Sequence, residues 1–270
     1  MAEQYKIIHP IKYYRDYLNQ KIRPDGREFD KFRPIGLNVG SVTTADGSAV
    51  VRMGNSIVSC GIRAELAKPK ASEPENGYLV PNIELMSFCN PKYRGGSAED
   101  GESYTCALND ILLNSDCVDL KELCIVKDKL VWCLYCDVSV LDHDGSILDA
   151  ALVAVITALK NVKLPKVNLN AKIEDISVDP SVKKEIIVKA LPVATTLMLF
   201  EDNVIITDPT SEEEDLSSSM ITIAVCNSEV CFILKPGGTP LSQEQMEVCI
   251  KQALSREKSV LKLLNESFKK

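Results

Sequence analysis

The sequence predicts an α+β protein of two lobes, each a mixed β-sheet packed with helices. Three observations support this. Strand-like runs separated by turn signals fill residues 37–64, and a second set fills 185–234. Each set is followed by an apolar or amphipathic helical run. Between the two sets, Lys163 to Lys184 carries Pro165 and Pro180 and shows no clear period, as a linker would.

In chain order, Tyr13, Tyr14, Tyr17 and Leu18 recur at helical spacing, predicting a short helix over 11–20 packed on the body. Arg23-Pro24-Asp25-Gly26-Arg27 is a turn flanked by arginines. Strands over 37–43, 49–53 and 57–64, with turns at 45–48 and 54–55, predict an antiparallel meander. A polar loop, 68–77, and a second loop rich in Gly and mixed charge, 91–101, flank the apolar stretch 78–88. Residues 103–114 place Ala107, Leu108, Ile111 and Leu112 on one helical side. A strand over 130–141 turns through Asp142-His143-Asp144-Gly145 into 146–162, a run apolar nearly all round and therefore a buried helix. The second lobe predicts strands at 185–189, 193–200, 204–207, 220–226 and 230–234. A long helix then opens on the Ser242/Gln245 capping pair. The expected organisation is an N-terminal helix and turn (1–30), a first domain (31–165), a linker (166–184) and a C-terminal domain (185–270).

Composition excludes several function classes. The 270 residues carry a formal net charge of -7 and are 45% hydrophobic and 26% charged, as in globular chains. No apolar run approaches the ~18 residues of a membrane span, and residues 1–10 lack a signal-peptide core, so a cytosolic or nuclear protein without membrane association is expected. The 10 cysteines fall mostly in apolar runs and read as buried free thiols. Cys133 and Cys136, the one CxxC spacing, lie in a strand, where residues three apart face opposite ways, so no metal site is expected. The acidic balance also counts against holding nucleic acid by bulk electrostatics, while permitting a local basic track.

Three constellations could carry chemistry. At Asp142 to Ala150 a strand ends and a helix opens, where backbone N–H groups and the helix dipole could hold a phosphate. Ser146 and Asp149, at capping-pair spacing, are expected to satisfy those donors themselves, with Asp149 placing negative charge where the phosphate would sit. Second, Asp208 to Asp215 is an acidic run that could bind two metal ions and is expected to be a solvated loop. Third, Arg23, Arg27, Arg33, Arg63, Lys68, Lys70, Lys92 and Arg94 form a scattered basic set, with Tyr78, Phe88 and Tyr93 available to stack on unpaired bases. Arg23, Asp25 and Arg27 could equally form turn-stabilising ion pairs.

Taken together and in order, several motifs resemble the RNase PH family. They are Arg23-Pro24-Asp25-Gly26-Arg27 with Phe32-Arg33-Pro34-Ile35, Ala45-Asp46-Gly47-Ser48-Ala49, Gly77-Tyr78-Leu79-Val80-Pro81-Asn82, Tyr135-Cys136-Asp137, Asp144-Gly145, Leu148-Asp149-Ala150, Asp208-Pro209-Thr210 with Glu212-Glu213-Glu214, and Lys235-Pro236-Gly237-Gly238. The resemblance covers essentially the whole chain and is strongest to the non-catalytic ring subunits of the eukaryotic RNA exosome. It implies two RNase PH-like domains and a partner of the same fold. Three such pairs form a ring, capped by OB-fold and KH-domain proteins and threaded by single-stranded RNA. Active members use phosphate as nucleophile and carry an arginine and hydroxyl at the phosphate-binding helix start, with a catalytic aspartate beyond the acidic loop. Here the first motif corresponds to Gly145-Ser146-Ile147-Leu148-Asp149-Ala150, with Leu148 and Asp149 in place of the arginine and hydroxyl. The aspartate position falls at Ser219 or Met220.

The resemblance therefore implies a catalytically silent subunit without a cofactor or metal. It also implies roles in ribosomal RNA maturation, RNA surveillance and turnover of messenger RNA, including AU-rich messages, in nucleus, nucleolus and cytoplasm. The candidate RNA-binding residues are Arg23, Arg27, Arg33, Lys92 and Arg94, and the degenerate phosphate site is Gly145, Ser146, Leu148 and Asp149. The alternatives are an active phosphorolytic nuclease using Asp144, Asp149 and Asp208, or a free-standing RNA-binding module.

Overall fold

The computed structural model describes residues 2–93, 98–169, 176–201 and 203–268. Two helices open the chain, α1 (Ala2–Ile8) and α2 (Pro10–Leu18), broken at Pro10, which can start a helix but cannot continue one. Strands β1 (Ile35–Val39), β2 (Gly47–Met53), β3 (Ser56–Ala67) and β4 (Tyr78–Leu85) follow, then α3 (Ala98–Asn114), β5 (Cys124–Val126), β6 (Leu130–Asp142) and α4 (Ile147–Asn161). The first sheet runs β1-β2-β3-β6-β4, with β5 added to β6. The meander β1-β2-β3-β6 is antiparallel and β4 joins β6 in parallel.

The second half comprises β7 (Lys163–Leu169), β8 (Ile176–Glu185), β9 (Val193–Phe200), β10 (Val204–Thr207), a short α5 (Ser211–Asp215), β11 (Ser219–Cys226), β12 (Glu229–Leu234) and α6 (Gln243–Ser267). The second sheet runs β10-β9-β11-β12, all antiparallel. Helix α4 packs on β2 and β3 of the first sheet and on β9 of the second, so it lies between the sheets. Ile147 through Leu159 are all buried, which is why its sequence is apolar on every side. Fully burying each leucine or isoleucine there contributes roughly 1.5–3 kcal/mol, and α4 is the shared core of both lobes. Helix α6 covers β9 and β11 with Cys249 and Ala253, and its predicted capping box forms: Gln245 N–H donates to Ser242 Oγ at 3.2 Å and Ser242 N–H to Gln245 Oε1 at 2.9 Å.

The predicted α+β architecture holds, with four local differences. Within the span 163–184, expected to lack a period, β7 and β8 pair antiparallel; the prolines sit beside a register shift after Pro165, where a missing N–H is tolerated. Residues 186–189 are not a strand, and only Val188 makes a bridge, to Val118. Helix α3 starts at Ala98, five residues before the expected start at 103, because Glu99 and Asp100 suit a helix N-terminus. The acidic run is a helix rather than an open loop. Cys133 and Cys136 are both on β6, as read.

Candidate degenerate anion site

Where β6 hands over to α4, the chain turns through Asp142 to Ser146. Gly145 (φ +81°) is required: a Cβ there would stand 2.3 Å from the Pro209 carbonyl, so the loop before α4 lies directly against the loop before α5. His143 is buried, and burial lowers its pKa and keeps the ring neutral. Its Nδ1 accepts the Gly145 N–H at 3.3 Å and its Nε2 lies 3.3 Å from the Tyr93 hydroxyl. Tyr93, expected to be available for base stacking, is instead buried against this histidine.

The expected Ser146/Asp149 capping pair does not form. Ser146 is left-handed (φ 52°) and makes no side-chain cap; its Oγ donates to the Pro209 carbonyl at 3.2 Å. Its backbone N–H, the first donor of α4, is taken by the Glu214 carboxyl at 2.7 Å. Asp149 turns away, accepting from the Thr196 N–H and hydroxyl at 2.8 Å each. Leu148 is core. The acidic group at the helix start is thus Glu214, from a different element. Burial raises the Glu214 carboxyl to about 7, only partly offset by the Ser146 N–H. Burial likewise raises Asp149 to about 6.

The arginines of the N-terminal turn fix this arrangement. Arg33 grips Asp208 through Nε at 3.0 Å and Nη2 at 2.6 Å, while its own N–H donates to the same carboxylate at 2.7 Å and Nη2 reaches the Gly145 carbonyl at 3.2 Å. Burial works against ionising Asp208, but the hydrogen bonds and charge of Arg33 outweigh it and hold the carboxyl below its ordinary range. Arg23, fully buried, makes a two-pronged pair with Glu213 and donates to the carbonyls of Thr207 and Asp208 at 2.9 and 3.1 Å. Glu213 accepts the Thr210 N–H at 2.8 Å and so caps α5. Arg27 adds a third contact to Asp208 at 3.2 Å. The acidic run is therefore not a solvated loop: Asp208 and Glu213 are buried because the three arginines neutralise them.

This also corrects the RNA-binding set. Arg23 and Arg33 are buried and spend their donors inside the protein, and the Arg27 guanidinium bonds Asp25 and Asp208. Lys92 is exposed and pairs with Asp215 at 3.1 Å. Arg94 lies outside the described residues. Ser219 is buried at the start of β11, its hydroxyl donating to the Gly237 carbonyl at 3.2 Å, and Met220 is half-buried against α2 and β10. The Pro236-Gly237-Gly238 turn packs there: a Cβ on Gly238 (φ +79°) would meet the Ser218 carbonyl at 2.3 Å. Above the clamp opens a cleft of about 400 Å³ whose charged lining includes Lys6 and Arg33 but also Asp25, Asp144, Glu212 and Glu213. That excess of carboxylates disfavours phosphate groups.

The sequence reading missed Glu214 and Thr196. The available signal was complementarity: a basic block at 23–33 and an acidic block at 208–215, each too charged to bury alone.

Comparison with known proteins places this geometry. Residues 31–165 match the model of domain 1 of the 3′ exoribonuclease (RNase PH) family and residues 190–256 match domain 2. The chain is 35% identical to the exosome complex component rrp43 of Schizosaccharomyces pombe, over 93% of this chain and 94% of that protein. It is 29% identical to the exosome complex component Rrp42 of Methanothermobacter thermautotrophicus, over 99% of each. Among solved structures, a chain of the Archaeoglobus fulgidus exosome with RNA bound to the active site superimposes with a TM-score of 0.83 at 27% identity, covering 96% of this chain and 97% of that one.

Proposed function

We propose, from the premise that this chain belongs to the RNase PH 3′ exoribonuclease family, that it is a core subunit of an RNA exosome that contributes to the ring and carries out no phosphorolysis itself. Its partners are other RNase PH-like subunits, OB-fold and KH-domain cap proteins, and single-stranded RNA. The processes served are ribosomal RNA maturation, RNA surveillance and messenger RNA turnover, including AU-rich messages, in nucleus, nucleolus and cytoplasm.

One observation carries the silent-site reading: the first N–H of α4 is already bonded to Glu214 at 2.7 Å. A phosphate seeking that donor would have to displace a carboxyl held in place by α5. If the carboxyl stayed, ionised, two unit charges 4 Å apart would repel by about 4 kcal/mol at an effective dielectric near 20. Leu148 offers no compensating cation, and the side chain of Asp149 is committed to Thr196. At the position expected for the catalytic aspartate, neither Ser219 nor Met220 can donate a proton as an acid. The arginine clamp keeps the N-terminal segment, the α4 start and α5 as one rigid piece, which suits a subunit whose task is to hold shape.

The test is to incubate the purified chain with inorganic phosphate and a single-stranded RNA and follow nucleoside diphosphates. The expected result is none above background. Phosphate-dependent release that is abolished by Asp149→Asn would overturn the proposal.

A further inference from the structure

Between the hairpin β7-β8 and the strands β5 and β6 lies a pocket of about 320 Å³, at the small end of the roughly 300–1,000 Å³ range of ligand sites. Among the described residues β7 and β8 pair only with one another, so the hairpin is not zipped onto the first sheet. Side chains alternate along a strand, and Trp132 ends the row Leu134, Cys136, Val138 and Val140 on the core-facing side of β6. Helix α4, which packs on that sheet, stops at Asn161. The hairpin that follows lines the pocket with Leu164 and Val167, opposite Trp132 and Ile125.

Three features there suit a ligand. The hairpin is bulged at this point: Pro165 faces Lys183 and Lys166 faces Asp179, so residues 180–182 of β8 have no cross-strand partner. A bulge re-aims the side chains beside it, and Val182 is left 50% exposed at the pocket. Trp132 is only 7% exposed, yet its indole N–H has no hydrogen-bond partner among the described residues and is not sealed off from solvent. A buried indole N–H ordinarily finds an acceptor. Lys166 and Lys184 also line the pocket, both exposed, and neither forms an ion pair among the described residues. Glu122 is the one carboxylate among the lining residues, so the local balance is positive in a chain of net charge -7.

We infer that this pocket binds a linear acidic peptide, which inserts a leucine or phenylalanine side chain among Ile125, Leu164 and Val167 and gives its adjoining carboxylates to Lys166, Lys184 and the Trp132 N–H. Such a ligand supplies what the pocket lacks: an acceptor for the indole, counter-charge for two lysines and apolar bulk for the lining. An unpaired RNA base is disfavoured, because stacking takes an open ring face and Trp132 is almost wholly covered. This chain alone builds the pocket, which therefore exists with or without a ring. The two lysines are exposed and can be changed without disturbing the core.

Trp132 is the single tryptophan of the chain, so its fluorescence reports the pocket directly. The test titrates the purified full chain with a short synthetic peptide that alternates glutamate with leucine and phenylalanine. A saturable change in Trp132 emission is expected. The double variant Lys166→Glu/Lys184→Glu should bind at least about tenfold more weakly, as lost charge-assisted contacts imply. The same peptide with glutamine in place of glutamate should lose a similar factor on the wild-type chain. Trp132→Phe, followed by the anisotropy of labelled peptide, should weaken binding about threefold or more, since a phenyl ring has no N–H to donate. No saturable change up to about 1 mM peptide, the weak end of specific binding, would overturn the site, as would undiminished binding by both variants. Equal binding of the glutamine peptide would overturn the acidic ligand class. A saturable change produced by a single-stranded RNA oligonucleotide, and lost in the lysine variant, would overturn the peptide in favour of nucleic acid.

Discussion

Asp208 and Asp149 lie on either side of one residue, Thr196: the Asp208 N–H donates to the Thr196 carbonyl at 3.0 Å, and Asp149 accepts the Thr196 N–H at 2.8 Å. Both side chains are buried, and for both burial is the largest influence on the carboxyl. Their ionisation nevertheless moves in opposite directions. Asp208 is held below its ordinary range because Arg33 supplies hydrogen bonds and a full charge. Asp149 rises to about 6 because Thr196 supplies only dipoles and Asp208 adds repulsion. Depth alone therefore does not decide the charge of a buried acid. A directly bonded cation does: Arg33 and Arg27 bond Asp208, whereas Asp149 feels Arg256 only through space, too weakly to offset burial.

The sharpest way to break that contrast is Asp208→Asn. Arg33 would keep its carbonyl contacts and the longer ion pair to the partly exposed Asp144 at 3.7 Å but lose its buried, hydrogen-bonded counter-charge, and removing one partner of a buried pair costs about 3–5 kcal/mol. The urea midpoint should fall accordingly, and the double variant Asp208→Leu/Arg33→Met should be less damaged than Asp208→Asn. A loss under about 1 kcal/mol for Asp208→Asn would mean that the pair is not the clamp described here.

Next in size is the pH dependence carried by Asp149. Its folded pKa, about 6, exceeds the ordinary carboxyl value of 3.8. The stability it contributes is therefore fully present below about pH 4 and lost as pH rises through 6. At about 1.4 kcal/mol per pKa unit this amounts to about 3 kcal/mol. Asp208 runs the other way: with its folded pKa depressed, its contribution is present above the ordinary carboxylate range and lost as pH falls through the folded value. Asp149→Asn should remove part of the fall in stability between pH 4 and 6, leaving the part carried by Glu214, whose carboxyl burial raises to about 7, and leaving the acid-side loss in place. An unchanged profile would contradict the assignment.

These residues also mark how far the sequence could be read. Period and turn chemistry gave the strands, the buried α4 and the α6 capping box, because each depends on neighbours within a few positions. The α4 start was misread for the opposite reason. Ser146 and Asp149 had the right spacing for a cap, yet a carboxyl 68 positions away took the donor. Arg23 and Arg33 looked like an RNA-facing track because their partners, at 207–213, are remote in sequence. Ion pairing between distant segments leaves no periodic trace. Only the coincidence of one basic and one acidic block hinted at it.

Lys92 and Asp215 offer the smallest effect and a control for the rest. Their side chains are 61% and 60% exposed with the pair at 3.1 Å, the same chemistry as Arg33 and Asp208 but in water. Exposed pairs are worth roughly 0–1 kcal/mol, and at 1 M salt the screening length drops to about 3 Å. Lys92→Ala should therefore shift the melting temperature by a degree or two at most, and not at all in high salt. Any weakening of RNA binding by the assembled complex would then arise from the lost charge rather than from unfolding. It should appear as a salt slope reduced by about one contact. A large loss of stability in Lys92→Ala would show that exposure does not separate the two kinds of pair.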